Sequence, residues 1–382
     1  MRAGLFLFAF LLSFIISFAQ DTVYARQVIK YLCSEKCYGR GYLKNGLQNA
    51  EKFIVSEIKK NKALPLFSSK YTQFFRQAVN TFPGKCELTV NGKVLIPGKD
   101  FIPDPRSLGA KGTFKLTKVD SVHYISAEGA TRISVNLKKK LTYSVAGKMT
   151  PYCSIEIDQK NFTEEPKELV INLENKFITD FESRNIGCYV NGTQSNDSMI
   201  IFSAHYDHLG GIGKKTFFPG ANDNASGTSV VLNLLKYYSA HPPKYKTVFI
   251  FFAAEEAGLL GSKHFVDNSP IDLKKIKFLI NLDLLGTGDD GIMVVNGAVF
   301  EKEFSKLMSI NAEQHLVKEI KKRGKASNSD HYWFSEAGVP CFFIYTMGGV
   351  TFYHDVFDKA QTLPLTDYVD VFKLITVFAN SF

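Results

Sequence analysis

An α/β fold, with a mainly parallel central sheet flanked by helices and a β-rich insertion or accessory domain, is what this sequence predicts. Three observations carry the prediction. Residues 248–253 (Val-Phe-Ile-Phe-Phe-Ala) form an unbroken apolar run, which suits a strand covered on both faces, as in a parallel sheet. From Ile186 onward, strand patterns alternate with helix patterns, the signature of α/β architecture. Between Cys86 and about Asp158 the texture is instead a block of short alternating strands with no helix.

The chain has 382 residues, 45% of them hydrophobic, enough for one large core and a smaller domain or insertion. Residues 1–19 read as a secretory signal peptide: the basic Arg2, an apolar run over 5–18, and Ser17-Phe18-Ala19 as the cleavage site. That apolar stretch is short for a membrane span, and no later segment approaches the length of one. The mature chain is therefore expected to be exported, periplasmic or extracellular, with no stable membrane insertion once the leader is removed. Residues 20–85 are expected to be an N-terminal helical part of the main domain. Leu47, Ala50, Phe53, Ile54 and Ile58 recur at helical spacing within 23–58, and Pro65 closes the region.

Residues 86–185 form the expected β-rich insertion. Leu88, Val90, Val94 and Ile96 alternate around an Asn91-Gly92 hairpin turn. The alternation continues through Phe114 and Leu116, through Ile133, Val135 and Leu137, and through Leu141, Tyr143 and Val145. Residues 186–382 carry the α/β pattern. Strands are expected over 199–204, 247–254, 276–282, 292–295 and 341–346. Helices are expected around Val230, Leu234 and Tyr238, over 299–321, and over 366–382.

The formal charge is +9, dense only at Lys138-Lys139-Lys140 and Lys321-Lys322-Arg323, each of which reads as a solvated face. No nucleic-acid motif accompanies these clusters, so no nucleic-acid partner is expected. Six cysteines in an exported chain permit disulfides. Cys33 and Cys37 are close enough in sequence for one bridge; the others cannot be paired from sequence, and none has zinc-finger spacing. Glycosylation sequons start at Asn161, Asn191, Asn196 and Asn224.

Chemistry gathers where the expected strands end. The 199–204 strand runs into His205-Tyr206-Asp207-His208, the central strand into Glu255-Glu256, and the 276–282 strand into Asp283. Asp223 lies in a loop, Gly220 to Gly227, that precedes a helix, and Tyr353-His354-Asp355 follows the last strand. A lone histidine is more often a hydrogen-bonded structural residue than a ligand, and paired glutamates at a strand end can simply face solvent. The recurrence of such residues along one sheet edge argues for a shared site, because open α/β sheets form sites at their carboxyl edge. Mixed histidine and carboxylate ligands suit zinc or another borderline divalent ion. The donors suffice for two metals, and adjacent Glu255 and Glu256 leave one carboxylate over to move a proton.

The stretches AHYDHLG, GANDNASG, FFAAEEAGLLGS, NLDLLG, SDHYWF and YHDVFD resemble, in order, the motifs of the co-catalytic zinc aminopeptidases, family twenty-eight of the metallopeptidases. Glutamate carboxypeptidases belong to that family, and glutaminyl cyclases are relatives. The resemblance covers about residues 186–382 and extends weakly to Tyr38-Gly39-Arg40-Gly41-Tyr42. It implies a zinc peptidase catalytic domain over 186–382, two zinc ions per chain and a peptide substrate. It implies that His205 and Asp283 bind one metal, that Glu256 and His354 bind the other, and that Asp223 bridges them. Glu255 is implied as the general base that takes a proton from the attacking water and returns it to the leaving amine. Asp207 is implied to orient His205, and Asp358 to do the same for His354. His208 falls outside the implied ligand set, as do Asp330 and His331, and Tyr345 and Tyr353 are both candidates to stabilise an oxyanion. Many members insert a protease-associated β domain where the β-rich block lies, though no motif here identifies it as one. Ala254 stands where the family often has glycine.

The leading reading is an exported aminopeptidase. A carboxypeptidase of the same family, a glutaminyl cyclase and a non-catalytic binding module on this scaffold are the alternatives. Phe217, Phe218, Phe352 and Tyr353 suggest an apolar pocket for the substrate's first side chain. Oligomeric state is not legible.

Overall fold

In the computed structural model, residues 22–126, 131–162 and 164–382 are described; the expected leader over 1–19 and its cleavage point lie outside them. A nine-stranded sheet forms the frame. Its order is Leu64–Pro65, Lys176–Val190, Lys246–Phe252, Met199–His205, Ile276–Leu282, Cys341–Thr346, Ile292–Val295 and Ile320–Lys322, with Thr72–Thr81 also pairing with Lys176–Val190. From Lys246–Phe252 to Cys341–Thr346 the neighbours are parallel. Antiparallel partners flank this parallel centre on each side.

Burial on both faces accounts for the unbroken apolar run. Phe249, Phe251 and Ala253 enter one core with residues of helices Thr22–Leu32, Gly46–Lys60, Gly227–Ala240 and Tyr368–Asn380. Val248, Ile250 and Phe252 enter another with Phe265 and Phe334, from helices Leu260–Asp267 and His331–Glu336. Successive strand residues point to opposite faces, so a strand covered twice has no place for a polar side chain.

The helix expected over 299–321 is shorter. It spans Glu301–Gln314 and ends where His315 takes a left-handed conformation (φ 50°) and gives its N–H to the Asn311 carbonyl. The Asn311 side chain then accepts the N–H groups of Leu316 and Val317. Ile320–Lys322 turns back as a strand beside Ile292–Val295. A C-terminal cap built by Asn311 and His315 thus breaks a pattern whose apolar spacing alone looked continuous.

The β-rich part forms further sheets of five and four strands. Their inward residues, among them Val90, Val135, Ile155 and Leu169, share one core with Leu209, Ile212 and Phe218. The β-rich part therefore packs directly on the segment that follows the first histidine motif. A long antiparallel ribbon of Thr72–Thr81 with Lys176–Val190 joins it to the main sheet. The sequence reading did not identify this ribbon, because its strands pair across about a hundred residues and one of them, Thr72–Thr81, alternates only loosely in burial. Over residues 141–146 burial alternates as it does along an extended chain, with Leu141 and Tyr143 buried and Thr142 and Ser144 exposed, yet they join no sheet.

All the cysteines are free thiols, so the Cys33–Cys37 bridge is not formed. Both lie near the Arg40 guanidinium, and burial pushes the Cys33 thiol up to about 12 and the Cys37 thiol up to about 11. Among the described residues no helix is long and apolar enough to cross a membrane.

Candidate functional site

The site lies where the sheet order reverses. Met199–His205 has Lys246–Phe252 on one side and Ile276–Leu282 on the other, so a crevice opens at its carboxyl end. His205 is the last residue of its strand, level with Phe252. Past Phe252, Ala254 takes a left-handed conformation (φ 58°) that turns Glu255 and Glu256 out of the strand line. Asp283 follows its strand directly. Asp223 projects from the irregular turn Ala221–Ser226 ahead of helix Gly227–Ala240.

That turn is clamped to the chain around Asp283. Asn224 gives its side-chain N–H to the Leu282 carbonyl and accepts the Gly227 N–H. Asn222 Oδ1 accepts the Gly286 N–H, and Ser226 Oγ accepts the Leu285 N–H. Asn224 is fully buried, so its glycosylation sequon is a chance match. From the other side Arg40, also fully buried, donates to the carbonyls of Leu32, Tyr206, Pro219, Gly220 and Asp223. The buried guanidinium thus satisfies loop carbonyls that no regular element could pair.

Asp223 stands at the centre of the group. Its Oδ1 lies 3.3 Å from His205 Nε2, and the same nitrogen lies 3.3 Å from Asp283 Oδ2. Its Oδ2 lies 3.1 Å from His354 Nε2, which is 3.2 Å from Glu256 Oε2. Each carboxylate oxygen of Asp223 therefore meets an imidazole whose other neighbour is a second carboxylate, and Oδ1 also lies 4.0 Å from His208 Nδ1. Glu255 stands beside this arrangement: one of its oxygens, a His205 nitrogen and a Glu256 oxygen lie within 4.8 Å of one another.

The donor set fits zinc. It contains imidazole nitrogens and carboxylate oxygens and no thiolate, as in open catalytic sites. Ligand atoms about 2.0–2.1 Å from one tetrahedral ion stand about 3.3 Å apart, which is the spacing seen here between each of His205 and His354 and its two carboxylates; His208, Asp223 and Glu256 also bring one donor atom each within 4.8 Å of one another. Asp283 Oδ1 is buried without a hydrogen-bond partner, as expected of a carboxylate shaped for an ion.

Electrostatics sets the members apart. Burial would lower the His205 imidazole, but Asp283 and Glu255 hold it well above its usual range. His354 is likewise opposed by burial yet raised to about 11 by Glu256 and Asp223. Burial raises Asp223, and hydrogen bonds to His205 and His354 outweigh it and bring the carboxyl well below the usual range. Glu256, against the same push from burial, is lowered to about 2 by His354 and His208. Glu255 goes the other way: burial, reinforced by Glu256 and Asp330, pushes it well up. Adjacent glutamates are thus driven in opposite directions, an arrangement that separates a ligand from a proton carrier.

Supporting residues differ in part from expectation. The Asp207 backbone carbonyl is 3.2 Å from His205 Nδ1, and its carboxylate is 3.7 Å away. That carboxylate also accepts the N–H groups of Glu255 and Glu256, at 3.2 and 3.3 Å. Asp358 does not orient His354. Its oxygens accept the N–H groups of Asn222 and Asp223 at 2.8–3.0 Å. His354 Nδ1 is held by the Tyr143 carbonyl at 2.9 Å, and Tyr143 gives its own N–H to the His354 carbonyl. A residue of the β-rich part thus fixes one of the candidate ligands, a link with no local sequence signal. His208, expected to stand outside the ligand set, has its Nδ1 2.6 Å from Glu256 Oε1 and is fully buried. Its place three residues after His205 was the signal available.

Among the aromatic candidates, Tyr353 stacks on His354, with centroids 3.9 Å apart. Burial raises its phenol, reinforced by the carboxylates of Asp223, Glu256, Asp283 and Glu255. Tyr345 turns away and accepts a hydrogen bond from Arg323. Phe218 is buried under Tyr143 and Phe217 packs on Tyr38, so neither is free to line an open pocket. Asp330 is buried close by, and burial pushes its carboxyl up to about 7.

A family model described as Peptidase family M28 matches residues 185–379. The sequence is 30% identical over 254 residues to Aminopeptidase YwaD of Bacillus subtilis (strain 168), covering 63% of this chain and 54% of that protein. It is 31% identical over 157 residues to an aminopeptidase of Pseudomonas aeruginosa (strain UCBPP-PA14), covering 37% of this chain and 27% of that one. The matches thus span about half or less of these relatives' length. Among solved structures, BSAP, a zinc aminopeptidase from Bacillus subtilis, aligns over 94% of both chains with a TM-score of 0.67 and 21% identity. A glutaminyl cyclase of Bacteroides thetaiotaomicron aligns over 94% of this chain and 97% of that one, with a TM-score of 0.55 and 12% identity. At such identities these likenesses show the fold.

Proposed function

The chain belongs to peptidase family M28, and on that premise we propose that it is a zinc-dependent aminopeptidase that removes residues from the free N-termini of peptides. The observation that carries this reading is the pair of trios that share Asp223. On this reading His205 and Asp283 would hold one ion and His354 and Glu256 the other, with Asp223 shared between the two sites. Zinc bound there supplies a Lewis acid for the scissile carbonyl and brings the pKa of water down to roughly 7.

The chain's own residues do the rest. Glu255 takes the proton of the attacking water and passes it to the leaving amine. Asp207 holds the peptide N–H groups of Glu255 and Glu256, keeping base and ligand in register. Tyr143 fixes the His354 ring through Nδ1, so that Nε2 faces Asp223 and Glu256. Tyr353, stacked on that ring, would donate its phenol proton to the developing oxyanion. The named relatives support an N-terminal rather than C-terminal preference. The leader-like residues 1–19 support export of the mature chain.

The test is hydrolysis of matched peptides with free or blocked termini, before and after chelation and zinc restoration. Cleavage should require a free N-terminus, disappear with chelator and return with zinc. Cleavage that requires a free C-terminus would replace the aminopeptidase reading by a carboxypeptidase. Cyclisation of N-terminal glutamine without peptide hydrolysis would replace it by a cyclase.

A further inference from the structure

Beside the metal centre lies a cavity of about 470 Å³. We propose that it is a slot for the extended main chain of the peptide substrate beyond its first residue, held by strand-type hydrogen bonds to Thr142 and Ser144. This rests on the aminopeptidase reading above.

One wall is residues 102–106, and the other is residues 142–148. Ala257, which follows Glu256 directly, lines the same space, so the slot begins at the catalytic edge. A single buried residue secures both walls. Asn80 gives its backbone N–H to the Ala146 carbonyl and its side-chain N–H to the carbonyls of Pro105 and Ser107. Thr150 ties the two again by giving its N–H to the Arg106 carbonyl.

In an extended chain, the N–H and C=O of one residue point to one side and those of its neighbours to the other. Tyr143 turns both of its groups to His354. Thr142 and Ser144 therefore turn theirs the other way, and both residues line the cavity while Tyr143 does not. Among the described residues, no hydrogen bond engages the main chain of Thr142 or Ser144. The segment is an unpaired strand edge whose other edge is already committed to a candidate ligand. Such an edge is completed by a peptide strand.

The charges of the slot point the same way. Asp104 is paired with Arg106, and Glu156 with Lys138, so these lining charges are engaged within the protein and Lys148 is the lining charge left without a salt bridge among the described residues. Recognition there falls to the main chain, which every peptide has. Only one residue of an aminopeptidase substrate precedes the cleaved bond, so the rest of a longer substrate lies on the far side of that bond, and this is the part the slot would take. Thr142 and Ser144 are spaced to meet alternate residues of an extended peptide, so substrates of three or more residues gain from the contact.

The test compares an aminoacyl anilide, a dipeptide and a tetrapeptide with the same first residue. In the wild-type enzyme kcat/KM should rise about tenfold or more from dipeptide to tetrapeptide, the yield of a pair of net hydrogen bonds. Ser144→Pro removes the slot-facing N–H and keeps Tyr143 in its extended conformation. It should flatten that rise when each peptide rate is divided by the same variant's anilide rate, whereas Ser144→Ala should keep the rise. Tetrapeptides N-methylated one position at a time carry the test on the wild-type enzyme, should the proline variant fail to fold; at least one methyl beyond the cleaved bond should cost the length advantage. An equal rise in wild type and Ser144→Pro, no rise in wild type, or indifference to every methyl would overturn the slot. Without cleavage of anilide or peptide the aminopeptidase reading itself falls, and the slot with it.

Discussion

Replacing Asp207 by asparagine separates holding the glutamates from orienting the imidazole. The Asp207 carboxylate accepts the N–H of Glu255 through one oxygen and that of Glu256 through the other. An amide has only one oxygen. Whichever way it turns, one peptide N–H loses its acceptor and faces an NH2 group. A hydrogen bond to a charged group contributes about 1.5–3 kcal/mol, and an orphaned buried donor costs about 1–3 kcal/mol. Both distances are long for charge-assisted bonds, which places the loss at the low end. Burial already raises the Asp207 carboxyl, so a neutral side chain recovers part of the loss. The net is about 2 kcal/mol. His205 keeps its contact with the Asp207 backbone carbonyl in this variant, so its ring stays in place.

The expected result for Asp207→Asn is a stability lower by about 2 kcal/mol in urea unfolding and a kcat lower by about 10²-fold at saturating zinc. Zinc affinity, titrated against a competing chelator, should stay within about tenfold of wild type. A variant with near-native kcat but zinc affinity weakened more than about 100-fold would refute the reasoning. Asp207 would then act through His205 and not through the glutamate backbone.

Other expectations follow from single residues. Ala254 is buried in a left-handed conformation. Ala254→Gly should change stability by less than about 1 kcal/mol, because relief of strain is offset by the flexibility of glycine when unfolded. Ala254→Val, β-branched in that conformation, should cost more than about 3 kcal/mol and abolish turnover; a valine variant of wild-type stability would contradict the turn drawn here. His331 is pushed down to about 4 by burial. Its unfolded value is about 6.5, so the unfolded chain binds a proton that the folded chain refuses. This contribution is therefore complete above about pH 6.5 and lost as pH falls through about 4, by at most about 3 kcal/mol. Urea midpoints of His331→Gln should fall less between pH 7 and pH 4.5 than those of wild type; equal falls would show that His331 does not titrate this way.

The parts legible in the sequence are those whose cause is local. The run 248–253 announced a doubly covered strand, and His205, Glu255, Glu256 and Asp283 announced themselves at strand ends. What stayed hidden depends on pairings distant in the chain. Tyr143 meets His354 across 211 positions, and Asp358 reaches Asn222 across 136. Neither partner is marked by its own neighbours in sequence. The ribbon joining Thr72–Thr81 to Lys176–Val190 was missed for the same reason. His208 was discounted because its spacing from His205 does not reveal which side of the loop it faces. Cys33 and Cys37 were near enough to suggest a bridge, but only the fold shows both thiols free beside Arg40.

The central claim is that Asp223 joins two metal sites while Glu255 stays free to move the proton. Counting zinc and measuring turnover on the same preparations of wild type and Glu255→Gln tests it most directly. The account predicts two zinc ions per chain in both proteins, and turnover of Glu255→Gln lower by at least about 10²-fold. One tightly held zinc in wild type, or near-native turnover in the zinc-loaded variant, would contradict it.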